Sequence, residues 1–235
     1  MIKFKKSACA LFLLMIVILL VNVQNSASAA PVYGGNIPGS RHWDIGLQTN
    51  FILEHEMKTP QGEIKSRQYF FLASYGFFDW LCFDGKIGIG DITQEPDAEP
   101  KGEYNLNFAG GYGLRACLYQ GPENTQKIIL GFQHISVHPN DVIINDKKNE
   151  AIFDDWQISL LYAGNIEKYY PYLGIKFSRG DLIRRVDVQR KRRHPAENIG
   201  IFLGTDYALG DNLRLSIEAR FLDENSVSFA VIRSY

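Results

Sequence analysis

The sequence predicts an all-β chain that folds as a closed antiparallel up-and-down transmembrane β-barrel of about ten strands, with eight as the alternative. Three observations predict this fold. Apolar and polar residues alternate with a period of two from Trp43 to Tyr235. No helical period of useful length follows the amino-terminal region, and clusters of turn-forming residues separate the alternating segments.

Composition excludes several other classes of protein. The 235 residues are 46% hydrophobic and 22% charged, which excludes a disordered chain and a collagen. Three cysteines are too few for a mini-protein held together by disulfides. With 25 basic and 26 acidic side chains there is no positive excess, so a nucleic-acid binder that works by overall charge is excluded.

The amino terminus has the pattern of a Sec-type export signal. Lys3, Lys5 and Lys6 precede an apolar run from Ala8 to Val21, and small residues follow at Ala27-Ser28-Ala29. The run is too short to cross a bilayer comfortably, which favours a cleaved signal over an anchor. The sequence therefore predicts a cleaved segment over residues 1–29 and one mature domain over 30–235.

Ten alternating segments follow the predicted signal. The sequence predicts strands at about 43–55, 64–75, 81–92, 103–118, 127–138, 153–163, 169–179, 198–209, 213–222 and 226–235. Eight strands is the alternative, and the poorly patterned pair 64–75 and 81–92 is the pair on which that lower number depends. Turn residues such as Gly210-Asp211-Asn212 lie between the segments.

The polar face of these segments distinguishes a membrane barrel from a soluble, lipocalin-like barrel. A strand face in bulk water favours Lys, Glu and Thr, whereas this face is mostly Gly, Asn, Gln, Ser and Ala. Apolar positions near the strand ends are often aromatic, among them Trp43, Trp156 and Tyr169. These features predict that the apolar face meets lipid.

The last strand resembles the terminal strand of bacterial outer-membrane β-barrel proteins. The chain stops on Tyr235, and Val231, Phe229 and Val227 share its face, whereas Arg233 departs from the pattern. The resemblance implies that Tyr235 is recognised by the outer-membrane insertion machinery and that the protein resides in the bacterial outer membrane. It also implies periplasmic termini, which place the long connections 93–102, 139–152 and 180–197 outside the cell.

A ten-stranded lumen is narrow and is generally filled with side chains. The alternation directs Asp84, Lys86, Arg115, Glu218 and Arg220 into it, where opposite charges can form a structural network. Pairing 81–92 with 103–118 about a loop centred near residue 99 sets Asp84 opposite Arg115. The same register sets Cys82 opposite Cys117, which predicts a disulfide in an oxidising compartment, with two free thiols as the alternative.

One short motif suggests chemistry: His134-Ile135-Ser136-Val137-His138. His134 and Ser136 share the lipid-facing side, and the motif resembles the His-x-Ser site of outer-membrane phospholipase A and the lipid A deacylase. That resemblance implies Ser136 as nucleophile, His134 as base and Asp154 or Asp141 as orienting acid. Val137 stands where those enzymes have Asn.

Two further sets of residues suggest binding. His134, His138 and Asp141 form an alternative divalent-metal set, although the preferred reading has no metal and no cofactor. The connection 180–197 carries six basic residues that suit lipopolysaccharide phosphates or another polyanion, or simply a solvated loop: Arg184, Arg185, Arg190, Lys191, Arg192 and Arg193.

These features predict a non-enzymatic outer-membrane barrel with a structural, surface-interaction or weak small-solute pore role. Its expected partners are outer-membrane lipids and lipopolysaccharide. The alternative is a lipid-acyl hydrolase that uses Ser136 and His134.

Overall fold

The computed structural model describes residues 34–58, 62–95 and 101–235. The predicted export signal, residues 1–29, and the predicted start of the mature domain lie outside the described residues. Within the described ranges, no helix is long and apolar enough to cross a membrane.

The described chain is almost entirely strand. The strands are β1 (Trp43–Glu56), β2 (Glu63–Phe78), β3 (Leu81–Glu95), β4 (Gly102–Gln120), β5 (Gln126–Val137), β6 (Val142–Ile144), β7 (Lys147–Gly164), β8 (Tyr169–Val186), β9 (Gln189–Arg193), β10 (Ile199–Ala208), β11 (Leu213–Phe221) and β12 (Asn225–Ser234). A short 3-10 helix, Pro122–Asn124, connects β4 to β5.

Ten of these strands close into an antiparallel barrel, which confirms the predicted fold and strand number. β1 pairs with β12, so the two ends of the sequence complete the ring. β7 pairs with both β5 and β8, and β8 also pairs with β10. β6 and β9 stand outside the ring and extend the sheet beside β7 and β8.

The barrel has two distinct ends. At the terminal end, defined by Trp43 and Tyr235, these two residues exchange backbone hydrogen bonds of 2.8 and 3.1 Å, and the turns are short. At the opposite, distal end the connections are longer. There the predicted loops 139–152 and 180–197 are partly strand, because β7 begins at Lys147, β8 runs on to Val186, and β6 and β9 pair with them.

The outside of the barrel is apolar. Phe108, Ile199 and Leu215 all point outward and are 50%, 63% and 40% exposed. Many further large apolar side chains share this surface, including Leu47, Phe71, Ile87, Ile158, Leu173, Ile175, Ile217 and Phe229. The alternation therefore directs the apolar face outward, as the sequence predicts.

The interior is filled by side chains in layers. An apolar cluster that includes Ile64, Phe153 and Leu182 occupies the distal half. A smaller cluster around Tyr172 and Phe202 lies on β5, β7, β8 and β10. Buried charged groups fill much of the remaining space. The distal apolar cluster was not predicted, because the alternation reverses near the distal end. There Ile64 and Phe153 point inward, and their polar neighbours Lys65 and Asp154 point outward.

Glycine on the inner face makes room for these large inward side chains. A Cβ at Gly174 would lie 2.3 Å from the Phe202 ring, and one at Gly204 would lie 2.4 Å from the Tyr172 hydroxyl. The predicted polar face is thus rich in glycine because neighbouring strands send bulky side chains across it. Phe202, which breaks the alternation in the sequence, is one of them and is buried.

The predicted Cys82–Cys117 disulfide is wrong. Cys82 pairs with Arg115 across the β3–β4 ladder, two residues away from the predicted register, and both thiols are free. The hairpin is centred nearer residue 98, since Gln94 pairs with Gly102. The Cys117 thiol instead donates to the Tyr119 carbonyl at 3.1 Å.

Candidate functional site

The predicted catalytic residues lie on the outer wall near the distal end. His134 and Ser136 are outward positions of β5, and His138 follows directly after that strand. Asp154 is an outward position of β7 and pairs with Ser136 in the ladder. The period of two places these side chains on one surface, and we call the four residues the outer-wall cluster.

The outer-wall cluster forms two hydrogen-bonded pairs. His134 Nε2 lies 2.7 Å from Asp154 Oδ1, and Ser136 Oγ lies 2.9 Å from His138 Nε2. The geometry differs from the predicted triad, because the imidazole that contacts Ser136 belongs to His138. Asp141, the other suggested orienting acid, instead pairs with Lys148 at 2.7 Å.

Aromatic rings support the His134–Asp154 pair. The Trp156 indole stacks on the His134 ring with centroids 4.0 Å apart and an interplanar angle of 28°. The Tyr112 ring lies 5.2 Å from the same imidazole. Both aromatic residues are outward neighbours of His134, on β7 and β4. These contacts fix the ring plane of His134 against the barrel wall.

A third ion-paired group extends the same surface and was missed by the sequence analysis. Asp181 pairs with Asp154 in the β7–β8 ladder. Its carboxylate lies 2.7 Å from His194 Nδ1, 3.2 Å from Arg179 and 3.5 Å from Arg192. The alternation of β8 continues past the predicted strand end at residue 179. Extending the strand along this pattern would have placed Asp181 on the outer wall.

Backbone donors near Ser136 are occupied by the sheet. Ser136 and Val137 lie in the ladders with both β4 and β7. The His138 N–H donates to the Phe108 carbonyl at 2.8 Å, and the Asn140 side chain donates to the Leu106 carbonyl at 3.1 Å. A hydrolase needs donors aimed at the developing oxyanion. Among the described residues, these nearby donors already have partners.

The alternative metal set is divided among separate contacts. His134 binds Asp154, His138 binds Ser136 and Asp141 binds Lys148. Across residues 34–58, 62–95 and 101–235, no group of three metal-ligating side chains comes together.

The predicted polyanion-binding residues lie on the β8–β9 hairpin and divide between its two faces. Arg184 pairs with Lys191 in the ladder and Leu182 pairs with Arg193, so these three basic residues share the face turned toward the barrel axis. The other three, Arg185, Arg190 and Arg192, lie on the outward face. Arg185 contacts Glu150 at 3.4 Å on that side.

The structure places all five predicted lumen residues inside the barrel. Arg115 donates to both Asp84 oxygens at 2.8 and 2.9 Å, diagonally across the ladder. Arg220 lies 2.6 Å from Glu218. Lys86 is 5% exposed and lies with them in the interior. The Arg115–Asp84 contact is a bidentate ion pair.

Two further sets of contacts complete the interior network. Lys176 lies 3.1 Å from Asp223 and from Glu224, and Glu224 also contacts Arg220 at 2.8 Å. At the terminal end, Arg115 donates to the carbonyls of Gly34 and Asn36, so residues 34–36 enter the barrel. These contacts are nonlocal, which is why the alternation alone did not reveal them.

Comparisons with known proteins give structural similarity only. No protein-family model matches the sequence, and no curated protein matches it. The translocator domain of the autotransporter NalP from Neisseria meningitidis is 8% identical, with a TM-score of 0.45 over 86% of this chain and 89% of that chain. The outer-membrane protease OmpT from Escherichia coli is 9% identical, with a TM-score of 0.42 over 82% of this chain and 94% of that chain.

A third similar structure is an outer-membrane channel from Pseudomonas putida F1. It is 7% identical, with a TM-score of 0.43 over 88% of this chain and all of that chain (100%). A translocator, a protease and a channel differ in activity, and TM-scores of this size carry no argument about what this chain does.

Proposed function

We propose that the protein is an integral outer-membrane β-barrel with a sealed lumen, and that it acts through its distal surface as a structural or surface-interaction protein. The observation that carries this proposal is the apolar outer surface of the closed barrel. A soluble monomer rarely exposes a contiguous apolar patch of more than a few hundred Å². Here outward apolar side chains surround the whole ring, from Leu47 on β1 to Phe229 on β12.

The orientation follows from the two ends. The resemblance of the last strand to those of outer-membrane barrels, together with the predicted export signal, supports a terminal end in the periplasm. Exposed aromatic side chains cluster at that end, where an interfacial girdle would lie: Trp43, Phe78, Trp80, Tyr119, Tyr169 and Tyr235. The distal hairpins, with their basic residues, then face the outside of the cell and its lipopolysaccharide.

The filled interior favours a surface role over a pore. Lys176, Arg220 and Glu218 are 2%, 0% and 1% exposed and lie in the middle of the lumen. A conducting path would have to break this ion-paired layer or the apolar cluster above it. The weak-pore alternative is therefore the less supported part of the proposal.

Two measurements test the proposal. Purified protein that retains the barrel should migrate faster in detergent gels before boiling than after, and it should float with phospholipid vesicles after refolding. In planar bilayers it should give no steady conductance. Failure to enter vesicles would contradict the membrane assignment. Regular conductance steps from heat-modifiable protein would contradict the sealed lumen alone.

A lipid-acyl hydrolase is the second candidate, and the 2.9 Å contact between Ser136 and His138 is the observation that favours it. In such a reaction Ser136 Oγ would attack the ester carbonyl while His138 takes its proton. His138 would return that proton to the leaving alcohol as the ester C–O bond breaks. Water would then release the acyl group. The occupied backbone donors near Ser136 weigh against efficient catalysis.

Amino-acid substitutions in the outer-wall cluster distinguish the hydrolase from the non-enzymatic barrel. If the outer-wall cluster hydrolyses lipid, Ser136→Ala and His138→Ala should abolish fatty-acid release from phospholipid or lipid A in detergent. Thr49→Ala removes an outward hydroxyl on β1 and is the matched control. His134→Ala tests whether the His134–Asp154 pair contributes to this hydrolysis. Equal release by wild type and Ser136→Ala would reject the hydrolase.

A further inference from the structure

A groove on the outer wall of the barrel crosses from apolar to charged residues. It lies against β5, β7, β8 and β9, and its volume is about 550 Å³. Its part nearer the terminal end is apolar and is lined by Phe132, Ile158 and Phe177. Its part nearer the distal end is lined by one aromatic and four charged side chains: Trp156, Asp154, Asp181, Arg179 and Arg192. We call it the boundary groove.

The strand ladders arrange the wall at this groove in rows. Outward residues of β5, β7 and β8 align in three successive rows toward the distal end: Phe132, Ile158 and Phe177; then His134, Trp156 and Arg179; then Ser136, Asp154 and Asp181. Neighbouring rows are two residues apart, which is about 7 Å along a strand. The surface therefore changes from apolar to charged over a short distance, and Trp156 and Arg179 lie at the boundary.

The length of β8 places this boundary at the edge of the hydrocarbon layer. Outward positions from Tyr169 to Phe177 are all aromatic or apolar, over a stretch of nine residues. A transmembrane strand needs about 9–11 residues. Arg179 is the next outward residue and therefore lies at the level of the lipid headgroups. This step rests on the proposed function, because only a barrel in a membrane brings Arg179 to that level.

Asp181 positions two guanidinium groups over the groove. Arg179 lies 3.2 Å and Arg192 lies 3.5 Å from its carboxylate, so each arginine has a counterion. Only 5% of the Asp181 side chain is exposed, whereas the two arginine side chains are 53% and 47% exposed. An arginine has five N–H donors. The hydrogen bond from Arg179 to Asp181 uses Nε, which keeps the terminal N–H groups for a second acceptor.

The other carboxylate of the groove is also occupied. Asp154 Oδ1 lies 2.7 Å from His134 Nε2, and the Asp154 side chain is 21% exposed. Trp156 stacks on that imidazole, which holds the indole flat against the wall. Tryptophan is enriched at the level of lipid headgroups. A molecule that approaches from the membrane therefore meets arginine N–H donors on the distal side and apolar side chains below them.

We propose that the boundary groove binds a phosphorylated glycolipid of the lipid A class. The lipid phosphate lies at Arg179 and Arg192, and an acyl chain follows Phe177 and Ile158 toward the middle of the membrane. Guanidinium groups match phosphate oxygens bidentately, and the site keeps its own counterion because Asp181 stays bound on the other side. The exposed arginines favour an anionic headgroup, and a distal end outside the cell selects the lipopolysaccharide of the outer leaflet.

Native mass spectrometry of the full refolded protein tests the proposal. Lipid A is added to protein in neutral detergent, and the fraction of protein that retains one lipid is measured against lipid concentration. Arg179→Gln should weaken retention about tenfold, the effect of one lost charge-assisted contact. Arg233→Gln is the matched control, because Arg233 is an exposed outward arginine at the terminal end. It should change retention by less than about twofold, since charges that far from the groove are screened.

Dephosphorylated lipid A is the second probe. Wild type should retain it less tightly than lipid A, and Arg179→Gln should cause no further loss, because the partner of Arg179 is already missing. This pattern supports the proposal. Absence of saturable retention by wild type, equal loss in Arg179→Gln and Arg233→Gln, or an equal effect of Arg179→Gln on both lipids overturns it. Phosphatidylglycerol retained as tightly as lipid A overturns the assignment to a glycolipid.

The fold and the proposed function are checked on the same samples. Arg179 is half-exposed, so its replacement by Gln should leave the barrel intact and heat-modifiable in detergent gels. Heat-modifiable protein that floats with vesicles but retains no lipid A overturns the boundary groove alone. Protein that retains lipid A but does not enter vesicles overturns the membrane assignment.

Discussion

The Asp84–Arg115 pair should be essential to the stability of the barrel. Both side chains are buried, at 0% and 2% exposure, and Arg115 donates to both carboxylate oxygens. Asp84→Asn removes the negative charge and leaves a buried guanidinium without its counterion. Removing one partner of a buried pair costs about 3–5 kcal/mol. We expect the lower end, about 3 kcal/mol, because Asn retains one acceptor oxygen.

Urea unfolding in phospholipid vesicles measures this loss. Trp43, Trp80 and Trp156 lie on the outer surface, so their fluorescence should report the transfer from lipid to water. Glu103→Gln is the control, because Glu103 is also on the β3–β4 hairpin and pairs with Lys101 at the exposed distal end. It should leave the unfolding midpoint unchanged. A midpoint for Asp84→Asn equal to that of the control would refute the reasoning.

Three shorter predictions concern the surface, the distal charges and the thiols. Ile175→Arg should lower the free energy of unfolding in vesicles by about 2–4 kcal/mol, the cost of a cation on a lipid-facing strand; no change in urea titration would contradict lipid contact there. A hydrogen bond from Lys101 lowers the pKa of Glu95, so their interaction stabilises the fold above the ordinary pKa of Glu and is lost as pH falls through the folded value. Lys101→Ala should raise the pKa of Glu95 in a carboxyl NMR titration, and an unmoved value would contradict the contact. Maleimide should label Cys117 in the folded barrel and Cys82 only after unfolding; a disulfide-linked peptide under non-reducing conditions would restore the original prediction.

The barrel itself could be predicted because its signal is repeated along the whole chain. Each strand alternates independently, so one exception such as Phe202 does not change the strand number. The pairing of Ser136 with Asp154 could also be foreseen, since both lie at outward positions on strands that are neighbours around the barrel. The local pattern was sufficient to find the strands and their order, but it did not fix every register, since Cys82 pairs with Arg115 and not with Cys117.

Side-chain partners could not be predicted in the same way. His134 and His138 lie equally near Ser136 in sequence. Only the positions of the side chains on the barrel wall show that His134 pairs with Asp154 and His138 with Ser136. The Lys176–Glu224 contact joins residues that are distant in sequence. These side-chain contacts depend on how the barrel closes and on which side chains compete for the same partner. The alternating pattern of the sequence carries no information about either.

The basic segment shows why secondary structure changes a functional hypothesis. Read as a loop, residues 184–193 are one undivided patch of positive charge. Folded as a hairpin, they become two surfaces with different chemistry. The outward Arg192 shares Asp181 with His194, and Arg185 contacts Glu150. The inward Arg184, Lys191 and Arg193 instead line a cavity beside β7.

Charge compensation explains the buried cations of the lumen. In the lumen, Arg115 and Arg220 each contact a carboxylate, and such neutralised pairs can remain buried in a dry interior. Lys176 follows the same rule, because it lies 3.1 Å from both Asp223 and Glu224. The positive charges of these three residues are therefore explained by the barrel's own acids, without a ligand.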